Sequence, residues 1–328
     1  MNNTAKYLQQ FTTLKRAPGP VWSEATKKRA PHKPILLLAV LDLTARGGIS
    51  SPFIDVSGDL VELNELFNLY WRRVVPLGQT SSIAFPFSRL DREPFWHLVS
   101  REGQAVTSSR INNTSSVSYL RRYALGARLD EEFFQIIQTE DGRAALREVL
   151  LRSCFSPAAG GALAEQVAIN TQAYHYSLDL LAQAHQHQPQ VAEALAVEAY
   201  KPPARDQGFR RVVVKAYEHR CALCGVRIIT PEGHTVVDAA HIIPWSKSGN
   251  DDIRNGMALC KLCHWAFDHG MMGVAASYEI IIPGRVAAAP NAPGFLTALA
   301  GRPIIPPADP DLRPDSQNLA AHRREWRL

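Results

Sequence analysis

The chain has 328 residues, of which 46% are hydrophobic and 20% charged, and its formal net charge is +5. This length allows two domains with substantial cores, and the composition fits a soluble globular protein. The longest apolar run, residues 34–43, is too short to span a membrane and is interrupted by Asp42, and the first residues lack the apolar centre of a signal peptide, so a cytoplasmic protein is expected.

The isoelectric point near 9.0 is compatible with a polyanionic partner, but a mild excess of base is common and decides nothing alone. Four of the five cysteines fall in two C-x-x-C pairs, which argues for metal rather than disulfides. Cys154 is left over and reads as a buried thiol.

Residues 1–155 read as a mainly helical α+β domain with short strands. Tyr7, Leu8, Phe11 and Leu14 recur at helical spacing. After the basic run Lys27-Lys28-Arg29, the stretch from Pro34 to Leu43 is apolar nearly all round and should form a buried central helix. Asp59 is placed to cap a second helix through Leu63, Leu66 and Phe67, ending at Trp71-Arg72-Arg73. Residues 82–90 and 95–100 read as short strands or extended segments, with Pro86 marking an edge or bend. Residues 116–123 and 130–155 read as helices closing the domain.

Ser156-Pro157-Ala158-Ala159-Gly160-Gly161 suggests a break, and residues 156–205 then form a helical linker with an Ala-rich helix from 162 to about 186. Residues 207–219 form a helix with Phe209, Val212, Val213 and Ala216 on one stripe, which delivers the chain to Cys221. A small domain spans 206–287, with strands expected between 271 and 282. The Pro-rich remainder, 288–328, has little core-forming content and reads as a tail.

The chemistry concentrates between Cys221 and His269. Cys221/Cys224 and Cys260/Cys263 supply four thiolates, enough for one tetrahedral structural zinc. His241, Asn255 and His264 have no place in that zinc site. They are the residue types needed for a second, hydrated metal that acts on phosphodiesters. The spacing suggests a strand over 236–243, a polar loop over 244–256, and a helix over 257–268 carrying Cys260, Cys263 and His264.

Residues 219–273 resemble the HNH nuclease family, through Ala-His-Ile-Ile-Pro-Trp (240–245), Asn255-Gly256, Leu259-Cys260 and His264-Trp265-Ala266-Phe267-Asp268. The resemblance implies a ββα-metal fold around one divalent ion, Mg2+ or Mn2+. In it His241 would be the general base, His264 a metal ligand, and Asn255 the residue that holds the loop, orients His241 or binds metal. A neutral imidazole is well poised to accept a proton near pH 7. Many family members carry Asp or His directly before the catalytic His, where this chain has Ala240. Asp238 is the nearest carboxylate and the candidate ligand, although its odd offset from His241 puts the two on opposite faces of an ideal strand. His269, before Gly270, reads as a helix-capping residue rather than a ligand.

A second resemblance lies in the first domain. Pro31-His32-Lys33-Pro34-Ile35-Leu36-Leu37-Leu38 and Ala84-Phe85-Pro86-Phe87-Ser88-Arg89-Leu90 resemble the sulfur-binding domain of phosphorothioate-dependent restriction endonucleases, a family that joins such a domain to a C-terminal HNH domain. It implies that Phe85 and Pro86 form an apolar cavity for sulfur, that Ser88 and Arg89 line it or meet the backbone, and that His32 and Lys33 contact bases or phosphates. Phe85 lacks the hydroxyl common at its position in the family. On strand alternation Phe85 and Phe87 would share one face, so cavity and core roles compete.

The expectation is therefore a restriction endonuclease that cuts double-stranded, phosphorothioated DNA. Double-strand cutting with one active site per chain would suggest a homodimer. The rivals are an HNH nuclease reading another DNA modification, and a non-catalytic zinc-stabilised DNA-binding protein, which Ala240 keeps open.

Overall fold

The structure is a computed structural model that describes residues 3–56, 60–76, 78–79, 81–102, 106–186, 200–230, 233–289 and 294–328. The chain divides into two compact units, Met1–Asn170 with Thr230–His234, and Thr171–Ile229 with Thr235–Leu328. Among the described residues no helix is long and apolar enough to cross a membrane.

The first unit begins with α1 (Asn3–Thr12), α2 (His32–Ala45), β1 (Phe53–Asp55), α3 (Val61–Val74), α4 (Ala84–Arg89) and β2 (Trp96–Ser100). It continues with α5 (Ser108–Asn113), α6 (Val117–Tyr123), β3 (Ala124–Leu129), α7 (Glu131–Gln138) and α8 (Glu140–Cys154). Helix α2 is the centre of its core: Lys33 through Thr44 are all buried, as a helix without a polar face must be. Its one interior carboxylate, Asp42, accepts hydrogen bonds from Tyr70, from Arg147 Nη2 at 3.0 Å and from Asn170 Nδ2 at 2.9 Å. A charge at 4% exposure is tolerable only with such partners. The three strands form an antiparallel sheet in the order β1-β3-β2.

Three local expectations change. Residues 82–90 are not a strand, since Ala84–Arg89 is helical. Pro86 falls in the first turn, where its missing N–H costs nothing, and the Ser88 hydroxyl returns to the Ala84 carbonyl at 2.8 Å. Helical geometry separates Phe85 from Phe87. Phe87 is fully buried, edge-on to Trp96 at 5.0 Å, while Phe85 stays half-buried on another side. Residues 130–155 form two helices because Thr139 is extended and caps the second by accepting from Gly142 N at 3.1 Å. Ahead of them, 124–129 is the middle strand of the sheet. The proposed cap, Asp59, lies outside the described residues. Cys154 is buried, as expected.

Helix α9 (Pro157–His185) runs straight through Gly160 and Gly161, where the sequence suggests a break. His187-Gln188-Pro189 lies outside the described residues.

The second unit contains α10 (Pro202–Ala216), β4 (Val237–His241), α11 (Trp245–Ser248), β5 (Gly256–Cys260) and α12 (Lys261–Asp268). Then follow β6 (Gly273–Val274), β7 (Ile280–Ile281), α13 (Gly284–Ala287), α14 (Gly294–Thr297) and α15 (Ser316–Trp326). β4 and β5 pair antiparallel with His241 opposite Gly256 and Val237 opposite Cys260. Thus 257–260 is strand, not helix. Every residue of β5 is buried, and the Ala258 carbonyl accepts from Ala222 N at 2.8 Å, an outward edge bond that a helix would have consumed internally. Gly256 is required by close approach: a Cβ there would lie 2.8 Å from Val213 Cγ2 and 2.9 Å from Phe209 Cζ on α10.

The Pro-rich end is not a loose tail. Leu296, Leu299, Ile304, Leu312 and Leu319 belong to the core of the second unit. His322 stacks on Phe267 at 3.7 Å and bonds its carbonyl, and Arg323 Nη1 donates to Val274 O at 2.6 Å. Its apolar residues are sparse and unperiodic, so only tertiary contact collects them.

Candidate functional site

Three elements of the second unit build the site. β4 presents His241 at its last position, α10 supplies the floor beneath it, and the loop between β4 and β5 carries the acids. Phe209 on α10 lies flat against the His241 imidazole, with centroids 4.0 Å apart and planes at 5°. His241 Nε2 is 2.8 Å from Asp251 Oδ1. The Asp251 side chain is 5% exposed, and its other oxygen accepts from Tyr176 OH and from Arg205 Nε, both at 2.9 Å.

Burial by itself pushes the Asp251 carboxyl up, but the bonds from His241, Arg205 and Tyr176 together outweigh it and hold it below the usual carboxylate range. An ionised carboxylate can only accept, so Nε2 of His241 carries the proton on this side. Nδ1 makes no hydrogen bond among the described residues.

Asn255 staples the loop. Fully buried, it donates Nδ2 to the carbonyls of Ile243 and Asn250, each at 3.0 Å, and accepts from Ile243 N at 2.9 Å. Both amide hydrogens and the amide oxygen bond backbone, so it joins the two ends of the loop that carries Asp251. Further Asx bonds, Asp252 N to Asn250 Oδ1 at 2.8 Å and Arg254 N to Asp252 Oδ1 at 2.7 Å, shape the turn between.

Helix α12 carries His264 and, one turn on, Asp268. His264 Nε2 lies 3.4 Å from Asp268 Oδ2, with both side chains partly open to solvent. Asp238, the carboxylate expected to ligate the metal, is partly exposed: its Oδ1 lies 2.8 Å from Arg210 Nε and accepts from Ala239 N at 3.0 Å. Asp238 thus meets Arg210 of α10, while His241 lies against Phe209 of the same helix and reaches Asp251.

Sγ atoms of Cys221, Cys224, Cys260 and Cys263 all lie within 4.8 Å of one another, a group that could hold a metal ion. Among the described residues it is the one such group of three or more side chains. The first pair sits on a tight turn, with Gly225 at φ +76° donating to Cys221 O at 3.0 Å. The second pair straddles the junction of β5 and α12, where Cys260 is the N-cap.

In the first unit, the sequence-selected reader residues divide. His32 stands among aromatic rings: Trp71 and Phe85 at 4.8 Å each, Trp22 at 5.2 Å. Arg89 lies over Phe85 with Cζ 4.9 Å from the ring centre. His32 Nδ1 and Arg89 Nε are buried without a hydrogen-bond partner among the described residues. Burial, then the Arg89 charge, push the His32 imidazole down to about 4, so it is neutral at ordinary pH.

Lys33 does not join this cluster; it is buried in an ion pair with Glu93. Ser88 is also fully buried, between the Ala84 carbonyl and the Tyr123 hydroxyl, and Pro86 is buried beside it. Lys33 and Ser88 are therefore structural here rather than exposed contacts.

Sequence reasoning passed over Asp251, Arg205, Tyr176, Asp268, Trp22 and Trp71. The signal for Asp268 was its i,i+4 spacing from His264. The others lie ten to 75 residues from their partners, and no helix or strand period links them.

Two family models match the chain. Residues 12–172 match the ScoMcrA-like DNA sulfur-binding domain, and residues 221–275 match the HNH endonuclease. No curated protein matches the chain. Among solved structures, a modification dependent TagI restriction endonuclease is similar at 22% identity over 38% of this chain and 39% of that one, with a TM-score of 0.30. So partial a likeness carries no argument about activity.

Proposed function

From a chain that carries a DNA sulfur-binding domain followed by an HNH endonuclease domain, we propose a restriction endonuclease that recognises phosphorothioated DNA and hydrolyses its phosphodiester bonds. The single observation that carries this reading is the presence of both domains in one chain.

The reader is the cluster of His32, Phe85, Trp22 and Trp71, with Arg89 at its side. A neutral imidazole among aromatic faces is a poor host for a hydrated phosphate oxygen and a good one for a larger, weakly hydrated sulfur. Arg89 supplies charge toward the backbone.

In the cutter, His241 is the general base. Its Nε2 is committed to Asp251, and Nδ1 takes the proton from the attacking water. His264 and Asp268 are the side chains suited to hold a divalent ion, Mg2+ or Mn2+, one imidazole and one carboxylate on adjacent turns with room for water. Such an ion supplies Lewis-acid stabilisation of the charge that grows on the phosphate. Asn255 keeps the loop, and with it Asp251, in place.

The four cysteines hold a structural zinc. Four sulfurs at about 2.3 Å from a tetrahedral ion stand about 3.8 Å apart, and Cys224 and Cys260 Sγ are already 3.7 Å apart. The natural substrate is double-stranded DNA, and two chains acting together would cut both strands.

The test is a cleavage assay on duplexes that differ by one defined sulfur, with Mg2+ or Mn2+ present. Cutting of the sulfur-bearing duplex alone is expected, and His241→Ala should abolish it while leaving binding intact. Equal cutting of both duplexes would remove the sulfur reader, and binding of both without cutting would favour a regulator.

A further inference from the structure

We propose that Asp251 is the positioning residue for His241, fixing the imidazole as its Nε2–H tautomer so that Nδ1 keeps the lone pair that accepts a proton. The inference deepens the reading of His241 as general base and rests on it. Free imidazole exchanges between two neutral tautomers and two ring orientations, and only one combination leaves an acceptor facing the water to be activated. Asp251 selects among them. Its Oδ1 stands 2.8 Å from Nε2, and its other oxygen is pinned by Tyr176 and Arg205, each at 2.9 Å. The carboxylate therefore cannot rotate away without breaking two buried bonds.

The brace is itself braced. Tyr176 and Arg205 come from separate helices, α9 and α10. The Arg205 guanidinium, 5% exposed as a residue, also lies over the Trp245 ring at 4.0 Å. Phe209 stacked on the imidazole removes the remaining freedom, ring tilt. Asp251 touches neither substrate nor metal in this account. It acts through His241, as a buried carboxylate does in a Ser-His-Asp triad, where changing the acid to its amide keeps the geometry and lowers turnover by about 10⁴ through the wrong tautomer.

The same substitution discriminates here. In Asp251→Asn, the amide oxygen continues to accept from Arg205 and Tyr176, which turns the amide N–H₂ toward His241 Nε2. That nitrogen must then accept, and the proton moves to Nδ1.

The experiment uses the full chain with a singly phosphorothioated duplex and Mg2+ or Mn2+. Single-turnover cleavage and DNA affinity are measured for wild type, Asp251→Asn and His241→Ala, and the imidazole nitrogen spectrum of ¹⁵N-histidine protein is recorded, with the His241 signals assigned by their loss in His241→Ala. The expected result is an Nε2–H tautomer in wild type, an Nδ1–H tautomer in Asp251→Asn, and a cleavage rate lower by roughly 10³–10⁴-fold with affinity unchanged. An Nδ1–H tautomer in the wild-type protein overturns the proposal even if the variant fails to fold. A folded Asp251→Asn that cuts at the wild-type rate also overturns it. If His241→Ala itself still cuts, the general-base reading fails first, so the two failures are told apart.

Discussion

Asn255→Ala should be among the most damaging single changes in the second unit, and its cost can be worked from the structure. The side chain is fully buried and makes three hydrogen bonds of 2.9–3.0 Å, all to backbone groups of Ile243 and Asn250. Truncation leaves one N–H and two carbonyls without that partner. Each orphaned group costs about 1–3 kcal/mol, less wherever water can enter, so a total of about 3–5 kcal/mol is expected. In a unit of this size that corresponds to a melting point lower by roughly 10 °C. Urea and thermal unfolding followed by circular dichroism measure the loss. Cleavage should fall as well, because the loop it staples carries Asp251. Asn255→Asp is the informative companion. It keeps the acceptor for Ile243 N but turns a charged oxygen toward two carbonyls, so it should rescue nothing. A loss below about 1 kcal/mol for the alanine variant, with cleavage intact, would refute the idea that this one side chain holds the loop.

Cys224→Ser should lower bound zinc and unfold the second unit, read by elemental metal content and circular dichroism; full zinc occupancy in the variant would count against a four-thiolate site. Phe87→Ala should cost about 3–5 kcal/mol, as for other buried aromatics. Phe85→Ala should instead leave stability nearly unchanged and weaken binding to sulfur-bearing DNA more than to plain DNA. Reversed effects would mean that the two rings have been assigned to the wrong sides of α4. His32 sets a pH dependence. Its imidazole titrates near 4 when folded and near its ordinary value when unfolded, so between those values the unfolded chain binds more protons. Stability should therefore be full above about pH 6.5 and fall by about 3 kcal/mol as the pH drops toward 4. His32→Phe should flatten that slope in a urea titration at several pH values, and an unchanged slope would mean that His32 is not the group responsible.

Much of the second unit was legible in the sequence because its chemistry is written locally. Two C-x-x-C pairs mark by spacing a group that could hold a metal ion, and the stretch with His241, Asn255 and His264 resembles the HNH family that its family model matches. The buried helix α2 was equally legible, since a run with no polar face can only be interior. Two of the misreadings share a cause. The short segments 82–90 and 257–260 carry too few residues for periodicity to separate helix from strand, and a proline in a first turn or an edge bond from Ala222 decided the outcome instead.

What the amino-acid order determined by itself is therefore the set of reactive side chains and the two kinds of domain that hold them. What tertiary structure alone decided is which charges remain available. Lys33, reactive in sequence, is buried in a pair with Glu93, whereas Asp238 stays partly exposed beside Arg210. Asp251, unremarked in sequence, becomes the brace of His241 because Tyr176 and Arg205, 75 and 46 residues away, converge on it. The physical reason is the dielectric setting: a carboxylate in water is one of many, whereas a buried one is defined by the donors that a fold brings to it.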